Sequence, residues 1–324
     1  MTTARLRIVF MGTPEFAVPS LHILVDHGFE IGAVVTVPDK PAGRGQQMKE
    51  SAVKQYARSM GLRILQPEKL KDPAFLGTLK DIKPDLQVVV AFRMLPEAVW
   101  SLPPLGTFNL HASLLPQYRG AAPINWAVIN GDASTGVTTF MLQHEIDTGN
   151  ILFQQEAPVG ETDTAGDVHD RLMELGAGLV LKTVQAIESR QINPRRQEEL
   201  ISPEMSIRPA PKIFREHCLI HWDNPGRQIY NLIRGLAPYP GAWCTLRDPQ
   251  GRTSTLKVYA SAFEMKAHRL VPGTLISNKK DNFAVAVRDG FISLASVQLE
   301  GKKRLPVDEF LRGLPDADQW KMEP

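Results

Sequence analysis

The chain has 324 residues, 43% of them hydrophobic and 22% charged, with a formal net charge of +2. That length allows two domains, and the balance is that of an ordinary globular protein. No apolar run approaches the roughly 20 residues of a membrane helix, no signal-like core follows the N-terminus, and the two cysteines, Cys218 and Cys244, match no zinc spacing, so a reduced, metal-free, cytoplasmic protein is expected.

Strand and helix patterns alternate through the first half. Residues 7–11 form an apolar run ending at Gly12, and 14–28 carry Phe16, Leu21, Leu24 and Val25 at helical spacing, which predicts strand, tight turn and helix. A second strand is expected over 31–37, a helix over 51–60, a third strand over 62–65 and a strand buried on both faces over 86–92. Such alternation argues for an α/β fold with a doubly wound, mostly parallel sheet. The turn at Gly12-Thr13-Pro14-Glu15 has one glycine where a dinucleotide fingerprint needs three, and Pro14 and Glu15 would crowd or repel a pyrophosphate. NAD binding is therefore disfavoured, Gly12 is assigned to the turn, and Pro14 starts the helix. Next comes Pro38-Asp39-Lys40-Pro41-Ala42-Gly43-Arg44-Gly45, where glycines bracket Arg44; with Lys49 close behind, it reads as a mobile loop carrying Lys40, Arg44 and Lys49.

A strand over 107–111 runs into a loop and sets an amide and an imidazole two residues apart. Side chains at i and i+2 of a strand share a face. Asn109 can thus donate to a developing oxyanion while His111 beside it accepts or supplies a proton, a pairing suited to attack on a carbonyl carbon. A further strand over 138–142 gives way to a turn that Gly149 can close, with His144, Glu145 and Asp147 within it. Cys218 and Cys244 lie far along the chain and Ser113 has no evident base, so covalent catalysis is a poor fit.

A long helical region over 162–192 ends the first part, and the Pro-rich, aperiodic residues 193–210 read as a linker. A helix over 225–236 follows, then short strands over 242–246, 255–263, 273–276, 283–287 and 291–298, with Asp289-Gly290 a two-residue hairpin signal. This succession suggests a small barrel. Residues 1–190 carry 17 Lys+Arg against 20 Asp+Glu, whereas 191–324 carry 20 against 15, so the second part is the better polyanion contact. Its densest basic cluster is Lys302-Lys303-Arg304.

Four blocks in order, Met11-Gly12-Thr13-Pro14-Glu15-Phe16-Ala17, Pro38 to Gly45, Asn109 to Ile124 and Asp147-Thr148-Gly149, resemble the methionyl-tRNA formyltransferases. The resemblance implies transfer of a formyl group from 10-formyltetrahydrofolate to the methionine amine of initiator methionyl-tRNA, with Asp147 as third catalytic residue beside Asn109 and His111. It implies a folate pocket formed by Phe92, Arg93, Met94 and Leu95 together with Ser113, Leu114, Leu115 and Pro116, although Leu114 and Leu115 equally suit core packing. Here the chain departs from the family: Arg93 stands at a glycine position of a shortened loop, facing either the folate glutamate tail or solvent. The loop with Lys40, Arg44 and Lys49 is expected at the tRNA acceptor end, and Lys302, Lys303 and Arg304 at phosphates. The implied domains are 1–192, catalytic and folate-binding; 193–210, linker; and 211–324, a tRNA-binding open β-barrel resembling an OB fold. Neither a metal nor an obligate protein partner is implied. Sugar-nucleotide and ribonucleotide formyltransferases and formyltetrahydrofolate hydrolases share the Asn-x-His and Asp set, but the block over 40–45 and the trailing barrel favour the tRNA enzyme. A non-catalytic RNA-binding protein on a decayed scaffold would have no use for Asn109, His111 and Asp147 together.

Overall fold

A computed structural model describes residues 6–42, 47–314 and 319–323. The chain packs as two compact units: one of Met1–Gly120, Thr135–Ala157 and His169–Pro209, the other of Ala121–Ser134, Pro158–Val168 and Ala210–Pro324. Among the described residues no helix is long and apolar enough to cross a membrane.

The first unit is built on strands β1 (Arg7–Gly12), β2 (Glu30–Val35), β5 (Ile64–Leu65), β6 (Leu86–Val90), β7 (Thr107–His111), β8 (Ser134–Met141) and β9 (Ile151–Pro158), ordered β5-β2-β1-β6-β7-β8-β9. Pairing is parallel from β5 to β7, and β8 then runs antiparallel to β7. The alternating faces of the β1, β2 and β6 runs are both covered, which is why those runs are almost wholly apolar. Val9, Met11, Val35 and Val89 pack under the helix Pro73–Ile82 through Phe75, Leu79 and Ile82. On the opposite face the helix Ala165–Glu188 brings Gly176 against Leu110 and Thr183 into a hydrogen bond with Thr139. The helix Pro73–Ile82, capped by Asp72 with Pro73 in its first turn, is an element that the alternation reading did not include.

Three local expectations are corrected. The block read as a mobile loop folds at its two sides into an antiparallel ribbon, β3 (Lys40–Ala42) with β4 (Gln47–Lys49), while Gly43, Arg44 and Gly45 lie outside the described residues. The ribbon's base is held because Asp39 accepts from Lys54 and from Gln66 Nε2 at 2.8 Å, and Gln66 also donates to the Val37 carbonyl. Gly12 belongs to β1, and close packing explains it: a Cβ there would sit 2.8 Å from the Ala17 Cβ and 3.1 Å from the Val90 carbonyl. The hairpin near Asp289-Gly290 turns one residue earlier, since Val287 pairs with Gly290 and the loop is Arg288-Asp289. Asp289 is then free to accept from the Gly226 N–H at 2.7 Å, at the start of a helix.

The second unit is an antiparallel sheet of β10 (Ala242–Arg247), β11 (Thr253–Met265), β12 (Leu275–Ser277), β13 (Phe283–Val287), β14 (Gly290–Leu299), β15 (Leu305–Pro306) and β16 (Lys321–Glu323). Its path is β12-β13-β14-β11-β10-β16, with β15 on β14, the antiparallel order of the anticipated barrel. The helix Gly226–Gly235 and the short helix Val307–Arg312 complete a core around Trp222, Phe283, Val285, Ile292 and Leu311. The helix Pro123–Ile129, inserted between β7 and β8, packs on Gly226–Gly235, where Asn125 donates to the Gly235 carbonyl and a Cβ on Gly235 would meet Ile129 at 2.5 Å.

Candidate functional site

Strands β1, β2, β6 and β7 all end on one edge of the sheet, and the chain changes direction of winding between β1 and β6. Open α/β sheets bind their ligands at that place. The Thr13 hydroxyl is buried there without a hydrogen-bond partner, a polar group available to a ligand.

Parallel register sets Asn109 beside Val89, and antiparallel register sets it beside Phe140. Asn109 is half-buried between these apolar neighbours, and its carboxamide has no hydrogen-bond partner among the described residues. Two residues on, His111 is 6% exposed, on the same side of the strand, with its ring edge-on to Phe140. His111 Nε2 lies 2.8 Å from the Tyr118 carbonyl oxygen. A carbonyl only accepts, so Nε2 carries the hydrogen and Nδ1 is the ring nitrogen left for chemistry. Nδ1 faces Asp147 Oδ2 at 3.8 Å, a gap longer than a direct hydrogen bond.

Asp147 sits in the loop after β8 with φ of 54°, in the left-handed region that few residues other than glycine, asparagine and aspartate adopt. Several contacts hold it there. The Gly120 N–H donates to Asp147 Oδ2 at 2.9 Å. Gly149 leaves the loop no room for a side chain, because a Cβ would fall 1.6 Å from the Met141 carbonyl oxygen. Gln197 Nε2 donates to the carbonyls of Asp147 and Gly149 at 2.8 and 2.9 Å. The three residues singled out in sequence are therefore brought together by the structure. Gln197, Tyr118 and Gly120 were not assigned roles there; the last two lie inside the block over 109–124, but Gln197 falls in the stretch read as linker and carries no sequence signal.

The expected folate residues divide. Ser113 is fully buried and donates to the Gln117 carbonyl at 2.6 Å. Leu115 is in a core cluster with Phe140 and Ile151, Pro116 is buried, and half-buried Leu114 packs on Gly136. Thr138 ties this turn down by donating to the Ser113 carbonyl and accepting from the Leu115 N–H. Phe92 and Leu95 pack against the sheet core, whereas Met94 is 73% exposed. Arg93 is half-buried, its guanidinium donates to the carbonyls of Pro67 and Glu68, and burial lowers its pKa. The positive φ of this loop falls on Ala91, so Arg93 is not forced into a glycine conformation.

Lys40 and Lys49 are exposed on the ribbon, and Arg44 lies outside the described residues. Lys302, Lys303 and Arg304 are exposed in the second unit, but Arg304 donates to the Ser296 hydroxyl and stacks over Tyr259 at 4.5 Å. His144 is on the surface, 3.4 Å from Glu97. Among the described residues no group of three or more His, Cys, Asp or Glu is placed to hold a metal.

Comparison with known proteins agrees in both halves. The family described as formyl transferase matches residues 6–184, and the formyl transferase C-terminal domain matches 212–315. A methionyl-tRNA formyltransferase of Bacteroides thetaiotaomicron is 56% identical over 317 residues, covering 98% of each chain. One from Porphyromonas gingivalis is 47% identical over the whole of both. In fold, the chain is similar to WlaRD, a sugar 3N-formyl transferase, with a TM-score of 0.63, 20% identity and coverage of 93% and 100%. It is also similar to HypX from Aquifex aeolicus in complex with tetrahydrofolic acid, with a TM-score of 0.62, 16% identity and coverage of 95% and 47%.

Proposed function

The chain belongs to the methionyl-tRNA formyltransferases, and from that membership we propose that Asn109, His111 and Asp147 carry its reaction at the carboxyl edge of the sheet. The reaction moves the formyl group of 10-formyltetrahydrofolate to the amine of methionine on initiator methionyl-tRNA.

An α-amino group has a pKa of roughly 7.7–8.0, lowered further by the neighbouring ester, so much of the nucleophile is already neutral. The amine attacks the formyl carbon, and the carbonyl oxygen takes up the displaced electron pair. The carboxamide of Asn109, uncommitted and flanked by Val89 and Phe140, donates to that oxyanion, where the apolar surroundings strengthen the hydrogen bond. The attacking nitrogen has become positive and gives its proton to Nδ1 of His111, whose Nε2 hydrogen stays on the Tyr118 carbonyl. Asp147 faces the imidazolium so formed and stabilises it. The same proton then passes to N10 of the folate as the carbon–N10 bond breaks, leaving formylmethionyl-tRNA and tetrahydrofolate. No protein residue is acylated.

The folate lies along the edge formed by the loop of Phe92 to Leu95 and the turn of residues 113–116. Phe92, Met94 and Leu95 present apolar surface to the pterin. Ser113, Leu115 and Pro116 act through the backbone they hold in shape, since their side chains are buried. Arg93 fixes that loop to residues 67 and 68. Lys40, Arg44 and Lys49 meet the acceptor end of the tRNA, and Lys302, Lys303 and Arg304 meet its phosphates. In this division of labour, residues 1–192 hold folate and perform the transfer, 193–209 pack into the same unit before the chain passes on, and 211–324 bind tRNA. The enzyme works in the cytoplasm, where charged tRNA is made.

The observation carrying the site assignment is the convergence of a free carboxamide, an oriented imidazole and a held carboxylate. Incubation with 10-formyltetrahydrofolate and separately charged initiator and elongator methionyl-tRNAs tests the reading. Formylation of the initiator species is expected, and transfer to neither would overturn it. Arg44→Ala should weaken formylation of charged tRNA while sparing a small amine acceptor; equal losses on both would remove the loop from tRNA binding.

A further inference from the structure

Gln197 is fully buried, although it lies in a polar stretch that sequence alone assigns to a linker. It stands in a 3-10 turn, Gln197–Leu200, just after Arg195, which exchanges backbone hydrogen bonds with Ile151 at 2.8 Å in both directions. That exchange anchors the segment to β9. Every polar atom of the Gln197 carboxamide is engaged. Nε2 donates to the carbonyls of Asp147 and Gly149, and Oε1 accepts from Arg119 Nε at 3.1 Å and Nη2 at 2.7 Å.

These partners are the two loops that make the site. Tyr118 offers its carbonyl to His111, Gly120 donates to the Asp147 carboxylate, and Arg119 lies between them. Gln197 thus closes a ring through His111, residues 118–120 and Asp147. The donors and acceptors are matched: only a carboxamide presents two N–H groups to two carbonyls and an oxygen to a guanidinium. A carboxylate would set its lone pairs against the carbonyls of Asp147 and Gly149, and an apolar chain would leave both carbonyls and the Arg119 donors unpaired in a buried place.

We propose that Gln197 is a positioning residue for formyl transfer, holding the Asp147 backbone in its left-handed conformation and thereby setting the carboxylate against His111 Nδ1. The proposal rests on the assignment of Asn109, His111 and Asp147 as the reacting set. Gln197 is fully buried with its whole carboxamide bonded to protein groups, so its effect belongs on turnover: a displacement of about 1 Å in a catalytic group can cost 10²-fold in rate.

The test compares the full-length protein with Gln197→Met and Gln197→Glu in steady-state formylation of initiator methionyl-tRNA. Wild-type turnover in the same assay checks the reading of function separately, so failure of one is distinguishable from failure of the other. Both variants are expected to lose about 10- to 100-fold in kcat, with KM for each substrate within about threefold of wild type. In an Asp147→Asn background, Gln197→Met should add less than about threefold, because its action passes through Asp147. A purely structural role would instead lower the amount of folded enzyme without moving kcat per folded molecule, or multiply with Asp147→Asn. Either outcome, or wild-type kcat in folded Gln197→Met, overturns the proposal. Should Gln197→Met fail to fold, Arg119→Met, which removes only the partner of Oε1, is expected to reduce kcat about 3- to 10-fold with unchanged KM, and unchanged kcat there is refuting.

Discussion

Asn109→Ala separates catalysis from stability, because the side chain, though half-buried, makes no hydrogen bond within the described residues, while its backbone is held in β7 between β6 and β8. Truncation therefore breaks no internal hydrogen bond and buries no newly orphaned group, so the melting temperature should stay within a few degrees of wild type. The transition state fares differently. Loss of one preorganised oxyanion donor costs about 2.7–4 kcal/mol, or 10²–10³ in kcat. The apolar flanks of Val89 and Phe140 place the expected loss toward the larger figure. Single-turnover transfer from 10-formyltetrahydrofolate to charged initiator tRNA isolates this step from product release, and equilibrium folate binding should be nearly unchanged. A folded Asn109→Ala variant with a transfer rate within about threefold of wild type would refute the oxyanion assignment.

Three further perturbations have defined outcomes. Leu115→Ala should destabilise the protein by about 2–5 kcal/mol in denaturant titrations, because Leu115 is packed against Phe140 and Ile151; loss of folate binding with unchanged stability would make it a pocket wall instead. The hydrogen bond from Lys54, followed by that from Gln66, holds the Asp39 carboxyl below its usual range. A depressed folded-state pKa contributes stability at neutral pH that is lost as pH falls below about 4, so the difference in melting temperature between wild type and Asp39→Asn should shrink on acidification, and a difference that does not change with pH would remove the role. Burial pushes the Cys244 thiol up to about 12, so at pH 8 the native protein should resist alkylation there, as mass spectrometry can read, whereas urea exposes it.

Local patterning was legible in most of the buried runs, but not in the helix Pro73–Ile82, although Phe75, Leu79 and Ile82 are buried there. The apolar runs that became β1, β6 and β13 need two covered faces or a closed core, and their periodicity announced a parallel sheet first and an antiparallel barrel later. Asn109 and His111 were readable together because a two-residue spacing on a strand already fixes their common face. Tertiary packing decided the remainder. Which ring nitrogen of His111 is free depends on a carbonyl seven residues away, and the reach of Asp147 depends on a backbone twist held by Gln197 from 50 positions downstream. Arg93 turned toward residues 67 and 68 for a like reason, since those carbonyls are distant in sequence and adjacent only once the sheet has formed. Hydrogen bonds between remote groups leave no periodic trace in a chain; they exist only after the hydrophobic faces have chosen their partners.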